Sequence, residues 1–379
     1  MNNEFNGERL KKARIYRGIT VAELANRIDC QRQTVSMYEN GKSKPMDDSI
    51  IENISKELKF PPKFFLERTN DITIGTTYFR ALLTTNKRYR AEQVQKMEFV
   101  AEIYNFLKDY IVFPPLNLPD FGHCTPEEAA VKLREDWGLG DKPIENIIHV
   151  VEEHGILVTS FSTSTDDIDA FSQMITVNGE TVYLIGYSNN KTSAARIHFD
   201  IAHELGHICL HEWSEDVEML ERDEFKEREK EANQFASALL LPENSFKADL
   251  SGKKLRIPYY TELKRKWKVS IQAMNRRAYN LGVITSDEYQ IMIRTLQRRG
   301  LRKEEPLDDV ILTAEPSLLK TSILMLLNEE VFTPKEFMDE LSFSYNLSLS
   351  PEEIEYLLDL PEDTLTPSKI LQFPTLRLK

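Results

Sequence analysis

The chain has 379 residues, a length at which two or three domains are expected rather than a single core. The polar N-terminus is not typical of a secretory signal, and no apolar run is long enough for a membrane helix. Three cysteines without CxxC pairing argue against a disulfide framework, so we expect a cytoplasmic protein with no membrane partner. The net charge is −13, yet residues 1–70 carry 13 Lys and Arg against 10 Asp and Glu, which suggests a mildly basic module attached to an acidic body.

Residues 1–68 are predicted to form a small helical domain. A first helix over 8–17 ends at a glycine, and Thr20 caps a second helix in which Glu23 completes a capping box. A tight turn then leads to a third short helix over 32–40, which another glycine closes. Two short helices joined by a tight turn are typical of a helix-turn-helix.

The stretch ERLKKARIYRGITVAELANRIDCQRQTVSMYENGKSKP resembles the phage-repressor (XRE-like) type of helix-turn-helix domain. The resemblance implies that residues 1–68 bind duplex DNA, with Arg and Gln pairing with purine edges and lysines contacting phosphates. A helical bundle used only for protein contacts or dimerisation is the alternative, and a homodimer is compatible with both. The candidate contacts are Gln31, Arg32, Gln33, Ser36 and Met37 to base edges, and Lys42 and Lys44 to phosphates.

Residues 69–122 are predicted to form a helical linker. Its start, 69–77, has no regular pattern, and apolar residues at helical spacing then indicate a helix over 91–110. The segment FPPLNLPDFG, with three prolines, is typical of a domain boundary.

Residues 123–305 are predicted to form a second domain, and 306–379 a C-terminal helical region. Thr125 is expected to cap a helix to 137, and a proline to begin another over 143–154. A strand over 156–161 precedes a hairpin whose two strands flank Asn178-Gly179. The predicted fold class is therefore mainly α with a small mixed β-sheet, an α+β arrangement. The remaining helices are expected near 192–212, 227–241, 257–266, 270–281 and 286–298.

The segment IHFDIAHELGHICLHEW contains the pattern HExxH. On a helix, His203 and His207 lie four residues apart on one face and can bind one ion. Zinc favours such donors, and Glu204 is then placed to act as the general base towards a zinc-activated water. An amphipathic helix with two incidental histidines is the alternative. We expect one zinc ion per chain.

A catalytic zinc site needs a third protein ligand, and three candidates follow HExxH. His211 continues the spacing, but three helical turns cannot converge on one ion, so a capping or supporting role is expected. Glu229 is the favoured ligand, with Glu231 as its rival on the same predicted helix. Asn233, four residues after Glu229, is placed to orient a zinc histidine.

Residues 125–305 resemble the ImmA/IrrE metallopeptidases through ARIHFDIAHELGHICLH, EKEANQFASALLLP and YYTELKRKWKVSIQAMNRRAYNLGVI. The resemblance implies zinc-dependent, gluzincin-like endopeptidase activity on a regulatory protein, often a transcriptional repressor, in a stress, phage or mobile-element response. It also implies a small mixed sheet packed on the zinc helices, with a strand over 170–177 whose edge receives an extended substrate.

Two other functions stay open from the sequence. The chain could be a transcription factor whose peptidase-like domain is a non-catalytic sensor or scaffold. It could also be a component of a toxin–antitoxin or phage-defence system. The intact set of His203, Glu204, His207 and Glu229 favours the peptidase, because a scaffold has no need of Glu204.

Overall fold

The computed structural model describes residues 4–70, 72–79, 86–161, 170–177, 179–190, 193–213 and 220–366. The described residues fall into two compact units, of which the first comprises Met1–Asn70, Glu102–Tyr110 and Lys320–Lys379 and the second Asp71–Ala101 and Ile111–Leu319. The boundaries of these two units differ from the domain boundaries expected at 68, 122 and 305. Those boundaries stay predictions.

The first unit begins with short helices whose ends follow the sequence signals. The capping box of Thr20 and Glu23 is confirmed, and Leu10, Leu24 and Val35 are completely buried between the helices. The elements are α1 (Gly7–Tyr16), α2 (Val21–Arg27), α3 (Arg32–Glu39), α4 (Asp48–Leu58) and a 3-10 helix (Pro62–Leu66).

The C-terminal helices of the chain belong to the same unit: most of α14 (Leu318–Asn328), α15 (Pro334–Ser344) and α16 (Pro351–Leu358). Arg17, the residue that follows α1, donates to Glu353 at 2.5 Å, and Lys63 of the 3-10 helix donates to Ser342 at 2.5 Å. These contacts involve the end of α1 and the 3-10 helix, while the first residues of α3 are exposed.

The second unit contains a four-stranded sheet, within the described residues, made of β1 (Ile72–Phe79), β2 (Leu157–Phe161), β3 (Ala170–Val177) and β4 (Glu180–Ser188). The strand order is β1-β3-β4-β2, with β1 and β4 antiparallel to β3 and β2 parallel to β4. Gly179 follows β3 with a φ of +84°, the left-handed conformation expected for the hairpin turn, whereas Asn178 lies outside the described residues.

Strand β1 corrects the expectation that 69–77 is irregular. The segment ITIGTTYF is rich in β-branched and aromatic residues, which favour strands, but Gly75 interrupts the pattern. The glycine lies where the pairing with β3 shifts register between Ile74 and Thr77. A shift of this kind is a bulge, which hides a strand from period-two analysis.

Helices cover most of the rest of the second unit. Thr125 caps its helix as predicted, but the helix expected from Pro143 begins only at Ile147, because Asn146 caps it by accepting from two backbone amides. The fold class, mainly α with one small mixed sheet, is confirmed. The helices are α5 (Lys87–Leu107, whose last residues belong to the first unit), α6 (Pro126–Asp136), α7 (Ile147–Glu153), α8 (Ala194–Leu210), α9 (Arg222–Leu240), α10 (Glu243–Leu250), α11 (Ile257–Trp267), α12 (Ile271–Asn280) and α13 (Ser286–Arg298).

None of the helices in the described part of the chain combines the length and apolar character that crossing a bilayer requires.

Candidate metal centre and DNA-binding surface

Helix α8 places the two histidines of HExxH on one buried face. His203 and His207 have no exposed surface, and their Nε2 atoms lie 3.1 Å apart. Four residues advance the chain by little more than one helical turn, so both rings point to the same side. Two imidazoles in this arrangement offer two nitrogen ligands to one ion.

Helix α9 brings Glu229 to the same point. Its carboxylate oxygens lie 3.5 Å from Nε2 of His203 and 3.2 Å from Nε2 of His207. Ligands bound tetrahedrally at zinc–nitrogen and zinc–oxygen distances near 2.05 Å are about 3.4 Å apart, so the three donor atoms are spaced to hold zinc. The structure thus brings together His203, His207 and Glu229 as a group that could hold a metal ion.

Gly206 lets the two helices come this close. A Cβ atom built on Gly206 would lie 3.1 Å from Cα of Ala232 and 3.2 Å from its carbonyl oxygen on α9. Small residues at the crossing therefore set the separation of the histidines from Glu229. Burial opposes ionisation of Glu229, but hydrogen bonds to His203 and His207 and their charges lower the pKa of its carboxyl group to about 2.

Glu231, the rival ligand, contacts a different histidine. Its Oε2 lies 3.1 Å from Nε2 of His211, at the C-terminal end of α8. Nδ1 of His211 in turn lies 2.9 Å from Nδ1 of His207 and shares a hydrogen bond with it. Glu231 and His211 thus form a chain behind His207 that fixes the orientation of its ring.

Glu204 points to the sheet. Ser172 of β3 donates a hydrogen bond from Oγ to Oε2 of Glu204 at 2.6 Å, and both residues are completely buried. Ser172 is not among the residues predicted from the sequence, since nothing in its local pattern indicates which helix faces β3. A fixed carboxylate beside the first histidine is the geometry that a general base requires.

Asn233 donates its side-chain amide to the backbone oxygen of Glu229 at 2.6 Å. This bond lies within the turn of α9 that carries the Glu229 carboxylate and stabilises that turn. A contact from Asn233 to a zinc histidine stays a prediction.

A tyrosine that the sequence analysis did not single out covers the histidines. The ring of Tyr78, at the end of β1, stacks on His207 with 4.7 Å between centroids and 19° between planes. Strand β1 pairs with β3 along 72–79, so the expectation of an open substrate edge on β3 is wrong for this structure. The edge is occupied because residues 72–79, which precede β3 in the chain, form a strand and pair with it.

Helix α3 presents the predicted base-reading residues to solvent. Gln31, Arg32, Gln33 and Met37 are exposed and Ser36 is half-buried. A buried core residue, Val35, and the ion pair between Arg14 and Glu39 at 2.5 Å fix the helix on α1.

The predicted phosphate contacts follow α3. Lys42 is exposed, and exposed Lys44 pairs with Glu4 at 2.5 Å. An exposed ion pair contributes little to stability, so Lys44 can exchange Glu4 for a phosphate.

Comparison with protein families places both regions. Residues 151–279 match the family model described as the IrrE N-terminal-like domain, a peptidase family, and residues 7–70 match a helix-turn-helix domain model. The first match includes His203, His207 and Glu229, and the second includes the whole of α3. No curated protein matches the sequence. The chain therefore carries a peptidase-type IrrE N-terminal-like domain and, ahead of it in the sequence, a helix-turn-helix domain.

Proposed function

We propose that the chain is a cytoplasmic zinc endopeptidase joined to a DNA-binding domain, and that its substrate is a regulatory protein such as a transcriptional repressor. The observation that carries the proposal is the spacing of His203, His207 and Glu229, whose donor atoms lie 3.1 to 3.5 Å apart. Glu204 beside them supplies a carboxylate that a purely structural zinc site would not need.

The side chains around the centre divide the work of peptide hydrolysis. When bound, zinc supplies Lewis acidity at the scissile carbonyl. The Glu204 carboxylate, held by Ser172, takes a proton from the attacking water and delivers it to the leaving amine. With Nε2 of His207 used as a ligand, its Nδ1–H donates to His211, whose other nitrogen donates to Glu231.

The helix-turn-helix domain would bring this activity to particular genes. The exposed start of α3 is suited to the major groove, and Lys42 and Lys44 to the flanking phosphates. A homodimer, which the sequence allows, would place two such helices on a palindromic operator. Cleavage of a repressor close to its operator would couple the two domains in a stress, phage or mobile-element response.

A transcription factor with a non-catalytic zinc domain is the second candidate. The complete burial of His203, Glu204 and His207 favours it, because a substrate cannot reach residues without exposed surface. In that case the metal would only stabilise the domain, and Glu204 would have no chemical role.

Incubation of the purified, zinc-loaded chain with co-encoded repressors distinguishes the two candidates. We expect limited cleavage into discrete fragments, its loss with a chelator, and its recovery when zinc is restored. A magnesium restoration serves as control, because the nitrogen-rich site does not suit that ion. Intact repressors in every reaction, including those of a variant in which β1 is loosened from β3, would favour the non-catalytic candidate.

A further inference from the structure

Strand β1 lies where an extended peptide would add to the sheet. It runs antiparallel to β3, with Ile72 opposite Val177 at one end and Phe79 opposite Phe171 at the other. Addition of an antiparallel strand to a sheet edge is a common way of binding an extended peptide. Because β1 has taken this edge, the backbone groups of β3 on that side are already paired.

Tyr78 connects strand β1 to the metal centre. It pairs with Ser172 in the ladder, so the two side chains share the face of the sheet that meets Glu204. Its ring stacks on His207, its hydroxyl donates to the backbone oxygen of Glu212 at 2.8 Å, and that hydroxyl accepts from Arg228 at 2.8 Å.

A second anchor holds the neighbouring part of the strand. Thr76 donates from its hydroxyl to the backbone oxygen of Trp213 at 2.7 Å, and the ring of Trp213 packs edge-on against Tyr78 at 4.8 Å. Strand β1 is thus fixed both to β3 and to the segment that follows α8.

A metal centre that β1 and Tyr78 cover in this way cannot admit a substrate. A catalytic zinc site keeps a coordination position open to water and substrate. Here His203, Glu204 and His207 are completely buried, and the side chain of Glu229 is 17% exposed. Substrate therefore needs the room that β1 and Tyr78 occupy.

We propose that β1 is an inhibitory strand that occupies the place of the substrate and keeps the peptidase closed until it leaves β3. The proposal rests on the proposed peptidase function. It also describes the substrate: an extended segment antiparallel to β3, with an aromatic side chain where Tyr78 now stacks on His207. A tethered strand competes at an effective concentration of about a millimolar, so a free substrate needs either comparable affinity or a signal that withdraws β1.

Gly75 offers a way to loosen β1 without changing the metal centre. A Cβ atom there would lie 2.9 Å from both the carbonyl oxygen and Cε of Met174 on β3. Gly75→Val in the full chain should therefore push the strand away from the sheet. Thr73→Val is the matched control, because Thr73 is exposed on the same strand and valine has nearly the same shape.

Three measurements on these variants test the proposal: hydrogen exchange of the β3 amides, the rate at which a chelator removes zinc, and the rate of repressor cleavage. We expect all three to rise in Gly75→Val, by about tenfold for an overpacked contact, and to stay at wild-type values in Thr73→Val. Tyr78→Ala, which removes the ring stacked on His207 together with its hydroxyl contacts, should also accelerate zinc removal.

Different failures have different meanings. Unchanged zinc removal in both Gly75→Val and Tyr78→Ala would overturn the proposal. So would faster β3 exchange in Gly75→Val without a gain in cleavage of a repressor that the wild-type chain cuts. If no variant cleaves any repressor while zinc removal still accelerates, β1 is confirmed as a cover and the peptidase function fails instead.

Discussion

His203 and His207 are inaccessible to solvent, whereas Arg32 and Gln33 at the start of α3 are exposed. The two regions belong to different units and differ in how they present their candidate binding residues. The metal centre is assembled from two helices, α8 and α9, and two strands, β1 and β3. His207 alone touches His203, Glu229, His211 and Tyr78. Helix α3 is held by buried core residues such as Val35 and by the ion pair between Arg14 and Glu39.

The difference in exposure indicates that the metal centre, and not α3, must change conformation before it can act. An exposed, pre-formed helix can meet DNA without rearrangement of its own unit. A buried centre has strong electrostatics because water is excluded, but it must open before a protein substrate can enter. DNA binding and proteolysis should therefore respond to different perturbations.

Removal of a zinc ligand should have the largest effect. We expect His203→Ala and Glu229→Ala to lose zinc, because three protein ligands define the site and the remaining two bind far more weakly. Elemental analysis of the purified variants measures this. Both should still bind DNA, as the ligands lie outside the helix-turn-helix domain.

Glu231→Ala is the matched control on the same helix. Glu231 contacts His211 and is not one of the three grouped ligands, so zinc should be retained, with affinity reduced about 10–100-fold by loss of the supporting contact. Zinc loss in Glu231→Ala together with retention in Glu229→Ala would exchange the roles of the two carboxylates.

Substitutions on α3 and after it should have the next largest effect. Arg32→Ala should cost about 1–3 kcal/mol on the preferred operator and weaken sequence preference, since paired contacts to a base are lost. Lys42→Ala should weaken binding to all sequences and reduce the salt slope by about 1. Titrations of the full chain at several salt concentrations measure both. An identical affinity of wild type and Arg32→Ala for every sequence would favour the protein-contact alternative for this domain.

A pH effect on the stability of the second unit should be smaller. His198 is completely buried on α8, and burial, with a contribution from the charge of Lys268, lowers the pKa of its ring from 6.5 to about 4. The unfolded chain then binds more protons than the folded one, so stability is lost as the pH falls from about 6.5 towards 4.

The expected loss from His198 between pH 7.5 and 5 is on the order of 2 kcal/mol. Urea unfolding of wild type and His198→Gln in the metal-free state measures it, because the glutamine cannot titrate. The same pH dependence in both proteins would contradict the assignment.

The local part of the metal centre could be predicted from the sequence. The spacing of His203 and His207 fixes their common face through helix geometry alone. The choice of Glu229 over Glu231 needed more, because both lie on one helix and differ only in the angle at which α9 crosses α8. That angle depends on the contact of Gly206 with Ala232, which no local pattern encodes.

Ser172 and Tyr78 could not be predicted, since each reaches the centre through strand pairing. Tyr78 lies more than 100 residues before His207, and its strand contains the bulge at Gly75 that masks the alternating pattern. Contacts of this kind depend on tertiary pairing, which overrides local preference. The contacts of α15 with the 3-10 helix and of α16 with the end of α1 have the same origin.

The most direct test of the peptidase function replaces one carboxylate. Glu204→Gln keeps the size of the side chain and its contact with Ser172 but removes the base. We expect zinc content and thermal stability near wild-type values, with repressor cleavage reduced roughly 10²–10⁴-fold because general-base assistance is lost. Both are measured on one sample, by elemental analysis and by a cleavage assay. Wild-type cleavage by zinc-loaded Glu204→Gln would contradict the assignment of Glu204 as the general base of a zinc peptidase.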